Sequence, residues 1–85
     1  MNEITLNCTA LETKAQLHAA LAEALSFPDW YGNNLDALYD CLTDLEEPVH
    51  LHLAGWAQLP EWKAAFEAVM SDAENDCMEF TVTFE

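Results

Sequence analysis

Residues 49–53, VHLHL, decide the fold of this chain. Apolar side chains occupy every second position and alternate with two histidines, which is typical of a β-strand with one buried and one exposed face. The same alternation appears in residues 4–8, ITLNC, and in residues 78–85, MEFTVTFE. The sequence therefore predicts three half-buried strands, the last of them starting at Met78.

Helical segments separate these strands. Thr13 and Gln16 have the spacing of a capping box, an asparagine at position 33 or 34 can cap a second helix, and Pro60 suits the start of a third. Apolar residues at the spacing of one helical face follow each start. They are Leu17, Ala20, Leu21, Ala24 and Leu25; then Leu35, Leu38, Leu42 and Leu45; then Trp62, Ala65, Phe66, Val69, Met70 and Ala73.

The connections between the strands predict the topology. Because helical segments replace hairpin turns, the strands should be joined by crossovers and lie parallel. Because the strands alternate rather than forming continuous apolar runs, helices should cover one face only, and right-handed crossovers then require strands to be added in one direction. We predict a single α/β domain over residues 1–85, with a two-layer fold, a three-stranded parallel sheet of order 1-2-3 and helices packed on one face.

The charge of the chain limits its partners. Sixteen acidic residues against two basic ones give a formal net charge of −14, which repels nucleic acid and membrane surfaces and favours a cationic protein. Residues 1–8 lack the basic start and apolar run of a signal peptide, and no segment approaches the about 20 apolar residues of a membrane span. We therefore expect a cytoplasmic protein, monomeric when free. Cys8, Cys41 and Cys77 lack metal-ligand spacing and have apolar neighbours, so they are expected to be free, buried thiols.

The second helix carries an acidic and aromatic surface. With its leucines facing inward, Asp36, Tyr39, Asp40 and Thr43 share the solvent side. Asp36 and Asp40 lie one turn apart and repel each other, and such local conflicts are expected at functional positions. Trp30, Tyr31 and Tyr39 are close to these acids in the sequence, and exposed aromatics beside charge are typical of interface hot spots. An ordinary solvated helix face remains the alternative, and Tyr31 is expected to lie in the core.

The run PDWYGNNLDALYDCLT, residues 28–43, resembles the signature of the barstar family, and Cys41 and Cys77 fall where barstar has cysteines. The resemblance implies a barstar-like fold and a non-enzyme. It also implies a cytoplasmic inhibitor that binds a barnase-like, guanyl-preferring ribonuclease one to one and blocks its active site with a phosphate mimic. No cofactor or metal is expected.

The resemblance also implies roles for individual residues. Asp40 matches the central carboxylate that enters the phosphate site, and Asp36 matches the second acid of that helix. The implied partner-binding residues are Trp30, Gly32, Asn34, Leu35, Asp36, Tyr39, Asp40 and Thr43. The chain departs from the family pattern at Leu45, where barstar has an aromatic, and at Ser71 and Asn75, where it has acids. Those departures leave the identity of the ribonuclease open, with Asp72, Glu74 and Asp76 only close to the expected acidic positions.

Two other functions stay open on the residues alone. The first is an acidic interaction module or antitoxin for a different basic partner. The second is an enzyme that uses Asp36 and Asp40 as a glycosidase-like carboxylate pair, which would need a cleft that a convex helix face does not provide.

The histidines favour structural interpretations. His50 and His52 lie on one strand face and could ligate a metal with Glu79, but two imidazoles leave coordination incomplete, so ordinary histidines on an uncovered sheet face are favoured. His18 is expected on a solvated helix surface with Glu12 and Glu23.

Overall fold

The computed structural model describes residues 2–85. Its elements follow the order of strand, two helices, strand, helix and strand predicted above. They are β1 (Asn2–Asn7), α1 (Lys14–Leu25), α2 (Leu35–Leu42), β2 (Val49–Ala54), a 3₁₀ helix (Trp56–Gln58), α3 (Lys63–Asp76) and β3 (Phe80–Phe84). No helix within residues 2–85 has the length and apolar character needed to cross a bilayer.

The sheet confirms the predicted topology. Its three strands are parallel and lie in the order β1-β2-β3. The register places Ile4 beside Leu51 and Leu51 beside Val82 on the face that packs against the helices. On the opposite, uncovered face, Glu3 lies beside His50. The alternation of each strand therefore separates a helix-covered face from an open one, as in a two-layer fold.

The core lies between the sheet and the helices. Each helix and the central strand contribute side chains that solvent does not reach, since their leucines and aromatics are spaced to face inward. The largest are Leu17 and Leu21 of α1, Leu38 and Leu42 of α2, Leu51 and Leu53 of β2, Phe66 and Met70 of α3, and Phe80 of β3. Cys8 and Cys41 are buried free thiols and Cys77 is a half-buried one.

Local signals set the helix ends. Both halves of the predicted capping box at Thr13 and Gln16 are formed, and each satisfies a backbone N–H that the first turn would leave without a partner. Asn34, not Asn33, caps α2. Asn33 instead takes a positive φ of 54°, which Asn tolerates better than most residues.

Several predicted positions differ from the structure. Leu45, predicted on the second helix, follows the end of α2 at Leu42 and packs partly buried against the core, and Cys77 is half-buried rather than buried because it directly follows α3.

Met78 is 96% exposed, because residues 77–79 connect α3 to β3 through a turn and a turn does not keep the alternation of a strand. Ala65 is exposed rather than part of the apolar face of α3. His18, predicted on the surface, is buried on the inner side of α1 at 5% exposure. Its ring can be buried because Nδ1 is hydrogen-bonded to the Tyr31 hydroxyl.

Candidate partner-binding site

The loop between α1 and α2 is anchored at its start and again at Tyr31. Ser26 ends α1 in the left-handed conformation, and Phe27 then donates its backbone N–H to Ala22. The ring of Phe27 packs against the ring of Tyr31 with centroids 4.9 Å apart. The loop therefore returns to the body of the protein at Tyr31 and is not free along its length.

Tyr31 is held by a buried hydrogen bond. Its hydroxyl lies 2.5 Å from Nδ1 of His18, and the His18 ring also packs on Phe66 of α3 at 4.7 Å. Burial lowers the pKa of His18 and raises the pKa of Tyr31 to about 12, with a smaller contribution from Cys41. Both groups are therefore neutral at pH 7, and this explains why a histidine is tolerated in the core. Tyr31 is in the core as predicted.

Trp30 and Tyr31 point to opposite environments. Tyr31 is 9% exposed, whereas Trp30 is 64% exposed and is one of two large apolar side chains within residues 2–85 that stand open to solvent. The buried tyrosine fixes the backbone that carries the exposed tryptophan. Because the backbone beside Trp30 is anchored, only side-chain freedom would be lost if a partner covered the indole.

The residues after Trp30 start the second helix. The Asn34 side chain accepts a hydrogen bond from Ala37 N at 2.8 Å, and its amide nitrogen lies 3.4 Å from the Gly32 carbonyl oxygen. A Cβ on Gly32 would lie 2.9 Å from that amide nitrogen. Gly32 and Asn34 are exposed and Leu35 is half-buried against the core. These three predicted site residues therefore position the helix start.

The acids of α2 are presented to solvent. Asp36 and Asp40 are both exposed, and within residues 2–85 no side-chain hydrogen bond or ion pair engages either carboxylate. Tyr39 and Thr43 are half-buried. The Thr43 hydroxyl donates to the Tyr39 carbonyl oxygen at 2.9 Å, near the helix end. The structure thus leaves the two carboxylates available for a partner, while the threonine hydroxyl is used by its own helix.

Tyr39 joins α2 to α3. Its hydroxyl donates a hydrogen bond to a carboxylate oxygen of Asp76. This bond, partial desolvation and the charges of Asp76, Asp72 and Asp40 raise the pKa of Tyr39. The acids of α3 therefore adjoin the acidic face of α2. We refer to Asp36, Tyr39, Asp40, Asp72 and Asp76 as the acidic surface.

Asp72 and Asp76 adjoin the candidate site but were not predicted to belong to it from the sequence. They lie one turn apart on α3, and that spacing was the available signal, but only the packing of α3 against α2 places them beside Tyr39. Ser71 is half-buried and Asn75 is exposed. Glu74 accepts a hydrogen bond from the backbone N–H of Val82 at 2.8 Å. Its carboxylate therefore binds β3 and does not contribute to the acidic surface.

A groove of about 460 Å³ lies beside Trp30. Leu45 and Phe27 contribute apolar surface, and Asp44 and Glu46 contribute charge. Leu45 replaces the aromatic that the family resemblance leads one to expect, so a smaller side chain borders this groove. Asp36 and Asp40 do not line it, and this arrangement does not favour the glycosidase-like alternative, because general-acid chemistry needs a carboxylate in a cleft.

A possible metal-binding group lies elsewhere, on the open face of the sheet. His50 and His52 are close together as predicted, but the carboxylate that approaches both of them is that of Glu3 and not that of Glu79. Glu3 lies opposite His50 in the register of β1 and β2, whereas Glu79 belongs to the turn before β3. This group is separate from the acidic surface.

Comparison with known proteins identifies relatives along the chain. The profile of the family described as "Barstar (barnase inhibitor)" matches residues 1–85. A protein of Bacillus subtilis (strain 168) named "Putative ribonuclease inhibitor YrdF" is 42% identical over 60 residues. That match covers 71% of this chain and 54% of the relative, so the chain spans about half the length of the protein it matches.

Proposed function

This chain belongs to the barstar family, and from that membership we propose that it inhibits a basic ribonuclease of the barnase-like, guanyl-preferring type. The inhibitor acts in the cytoplasm, binds one enzyme molecule and carries out no catalysis of its own. The observation that carries this proposal is the acidic surface, in which exposed carboxylates of α2 flank a tyrosine and lie close in sequence to the exposed Trp30.

The chemistry of RNA binding supports this mode of inhibition. A ribonuclease holds phosphates with cationic side chains, and a carboxylate accepts the same charge-assisted hydrogen bonds that a phosphate oxygen accepts. Asp40 is the residue proposed to enter the phosphate site, with Asp36 as the second acid. Their carboxylates have no partners within residues 2–85, so no intramolecular bond has to break before the enzyme binds.

The arrangement on α2 has a cost that an interface would recover. Like charges one turn apart destabilise a helix by a few tenths of a kcal/mol, and Asp72 and Asp76 add two further acids next to Tyr39. Cationic side chains of an enzyme would remove this repulsion. The net charge of −14 would also accelerate the encounter with a basic protein.

The acids of α3 favour an enzyme surface that differs from that of barnase. Asp72 and Asp76 contribute negative charge, whereas the family pattern has acids at the positions of Ser71 and Asn75. A displacement by one residue turns a side chain by about 100° around a helix. The opposing cations on the ribonuclease should therefore be displaced in the same sense. A basic partner that is not a ribonuclease is the alternative, favoured by the same two positions and by Leu45.

Inhibition of a purified guanyl-preferring ribonuclease tests the proposal. We expect one-to-one inhibition that weakens as salt rises, because ions screen charges beyond about 8 Å at physiological ionic strength. Asp40→Ala should weaken inhibition by more than about 100-fold, because it leaves a buried cation of the enzyme without its partner at a cost of about 3 kcal/mol or more.

Glu23→Ala is the matched control, because it removes one exposed negative charge from α1. It should slow association slightly and leave the dissociation rate unchanged. Equal inhibition by the wild type and Asp40→Ala would refute phosphate mimicry by this residue. Tight binding of a basic protein without any effect on RNA cleavage would favour the alternative partner.

A further inference from the structure

The open face of the sheet brings three metal-ligating side chains together. Oε1 of Glu3 lies 3.2 Å from Nε2 of His52 and 3.9 Å from Nδ1 of His50. One ligand atom from each residue lies within 4.8 Å of the other two. We propose that Glu3, His50 and His52 bind a divalent transition-metal ion of the zinc type. This metal site is independent of the proposed ribonuclease inhibition.

The donor atoms favour zinc over the common hard cations. Two imidazole nitrogens and one carboxylate oxygen are ligands that Zn²⁺ uses, whereas Mg²⁺ and Ca²⁺ prefer oxygen ligands alone. Bonds of about 2.0–2.1 Å to a tetrahedral ion place the ligand atoms about 3.4 Å apart. The distances of 3.2 Å and 3.9 Å from Glu3 to the two histidines bracket that value. The two histidine nitrogens lie within 4.8 Å of each other, so rotation of the side chains would bring all three ligand atoms onto one ion. The fourth position would be open to water.

The other nitrogen of each histidine faces an oxygen. Nε2 of His50 is hydrogen-bonded to the Thr83 hydroxyl at 2.7 Å, and Nδ1 of His52 lies 3.9 Å from a carboxylate oxygen of Glu85. Metal-binding histidines usually donate their second N–H to such an oxygen, and this fixes the tautomer and the ring orientation. Only His50 has such a bond here, because 3.9 Å is beyond hydrogen-bond distance. Nε2 of His52 is instead hydrogen-bonded to Oε1 of Glu3 at 3.2 Å, and a metal ion would replace the proton between these two atoms.

The sheet also limits the freedom of the two rings. His50 and His52 are on the central strand, and their side chains are only 23% and 25% exposed. Their rings stack with centroids 4.0 Å apart. The strand already restricts both side chains, which reduces the conformational entropy lost on metal binding, and the rings would turn out of their stack to direct both nitrogens at one ion. The net charge of −14 raises the concentration of cations around the whole protein.

Calorimetric titration of the purified, tag-free protein with ZnCl₂ tests the site. We expect one zinc ion per chain, with no displacement by excess Mg²⁺. His52→Ala and Glu3→Gln should each weaken zinc binding at least about tenfold, since even the loss of an outer hydrogen bond to a metal ligand costs about 10–100-fold. Glu79→Gln is the matched control, because it changes the net charge by the same amount and leaves the three ligands in place.

A second measurement does not depend on any variant. Zinc should shift the ¹⁵N resonances of the imidazoles of His50 and His52 and leave those of the buried His18 unchanged. Undetectable zinc binding, one zinc ion per two chains, or equal losses in Glu3→Gln and Glu79→Gln would overturn the site. Unchanged resonances of both exposed histidines at saturating zinc would overturn it as well.

Discussion

Replacement of Tyr31 by Phe removes one oxygen atom from the core and leaves the aromatic ring in place. The hydroxyl of Tyr31 is the hydrogen-bond partner of Nδ1 of His18 at 2.5 Å, and His18 is only 5% exposed. Water therefore cannot replace the lost partner without opening the core. The variant should keep the fold and lose stability, because a buried polar nitrogen is left without a hydrogen bond.

The structure sets the size of this loss. A buried polar group deprived of its partner costs about 1–3 kcal/mol. In a domain of this length, 1 kcal/mol corresponds to a change in Tm of about 4–8 °C, so Tyr31→Phe should lower Tm by about 4–24 °C. The packing of the ring on Phe27 is retained, and this keeps the loss below the cost of removing a whole aromatic side chain.

Urea unfolding followed by circular dichroism measures the effect, and Tyr39→Phe is the matched control. Tyr39 also donates a hydrogen bond to a side chain, Asp76, but that bond is exposed to solvent, so water can take the place of the hydroxyl. Tyr39→Phe should therefore change the free energy of unfolding much less. If the two variants lose the same stability, or if Tyr31→Phe loses none, the buried pair does not anchor the loop in the way described.

Three further changes test other parts of the structure. The free energy of unfolding should fall as pH drops below 6.5, because burial lowers the pKa of His18 and the unfolded chain therefore takes up the proton first. This one residue adds a slope of at most about 1.4 kcal/mol per pH unit. When the free energy of unfolding is measured at a series of pH values, His18→Asn should lack this part of the slope. Asn34→Ala should lower the free energy of unfolding by about 1 kcal/mol, since it removes the bond to Ala37 N, and Asn34→Asp should retain most of the stability in the same denaturation assay. Gly55→Ala should lower the free energy of unfolding by at least about 1–2 kcal/mol, because Gly55 has a φ of 75° and a Cβ there would lie 2.5 Å from Cγ2 of Thr9. Adding Thr9→Ser to this variant should restore part of the loss. Unchanged stability of Gly55→Ala would contradict the positive φ of Gly55 and its close approach to Thr9.

Elements and topology were predictable because their signals are local or follow general rules. The alternation of VHLHL predicts a strand with one buried face, and β2 has that pattern of burial. Thr13 and Gln16 form their capping box from atoms within one turn of helix. The order of the strands follows from the handedness of crossovers once the helices are placed on one face. The exposure of Asp36 and Asp40 follows from the inward position of Leu38 between them and of Leu42 after them.

Contacts between distant residues were not predictable in the same way. His18 lies between Leu17 and Ala19 and is a polar residue outside the set of apolar positions that predicts the face of α1, whereas in the structure it is buried against Tyr31, 13 positions later. Asp76 meets Tyr39 across 37 positions because α3 packs on α2. Met78 has the alternation of a strand and lies in a turn, because the sheet starts only at Phe80.

The amino-acid sequence by itself thus determined the elements, the order of the strands, the acidic character of the surface and the family. Periodicity and capping depend on residues a few positions apart, and composition is a property of the whole chain, so neither requires knowledge of which distant residues meet. Only the tertiary structure decided which side chains meet. Glu3 joins His50 and His52 through the register of two strands, and Asp72 and Asp76 join the acids of α2 through helix packing. The physical reason is that a pattern specifies the face on which a residue lies, whereas a partner on another element is set by how complete elements pack and pair.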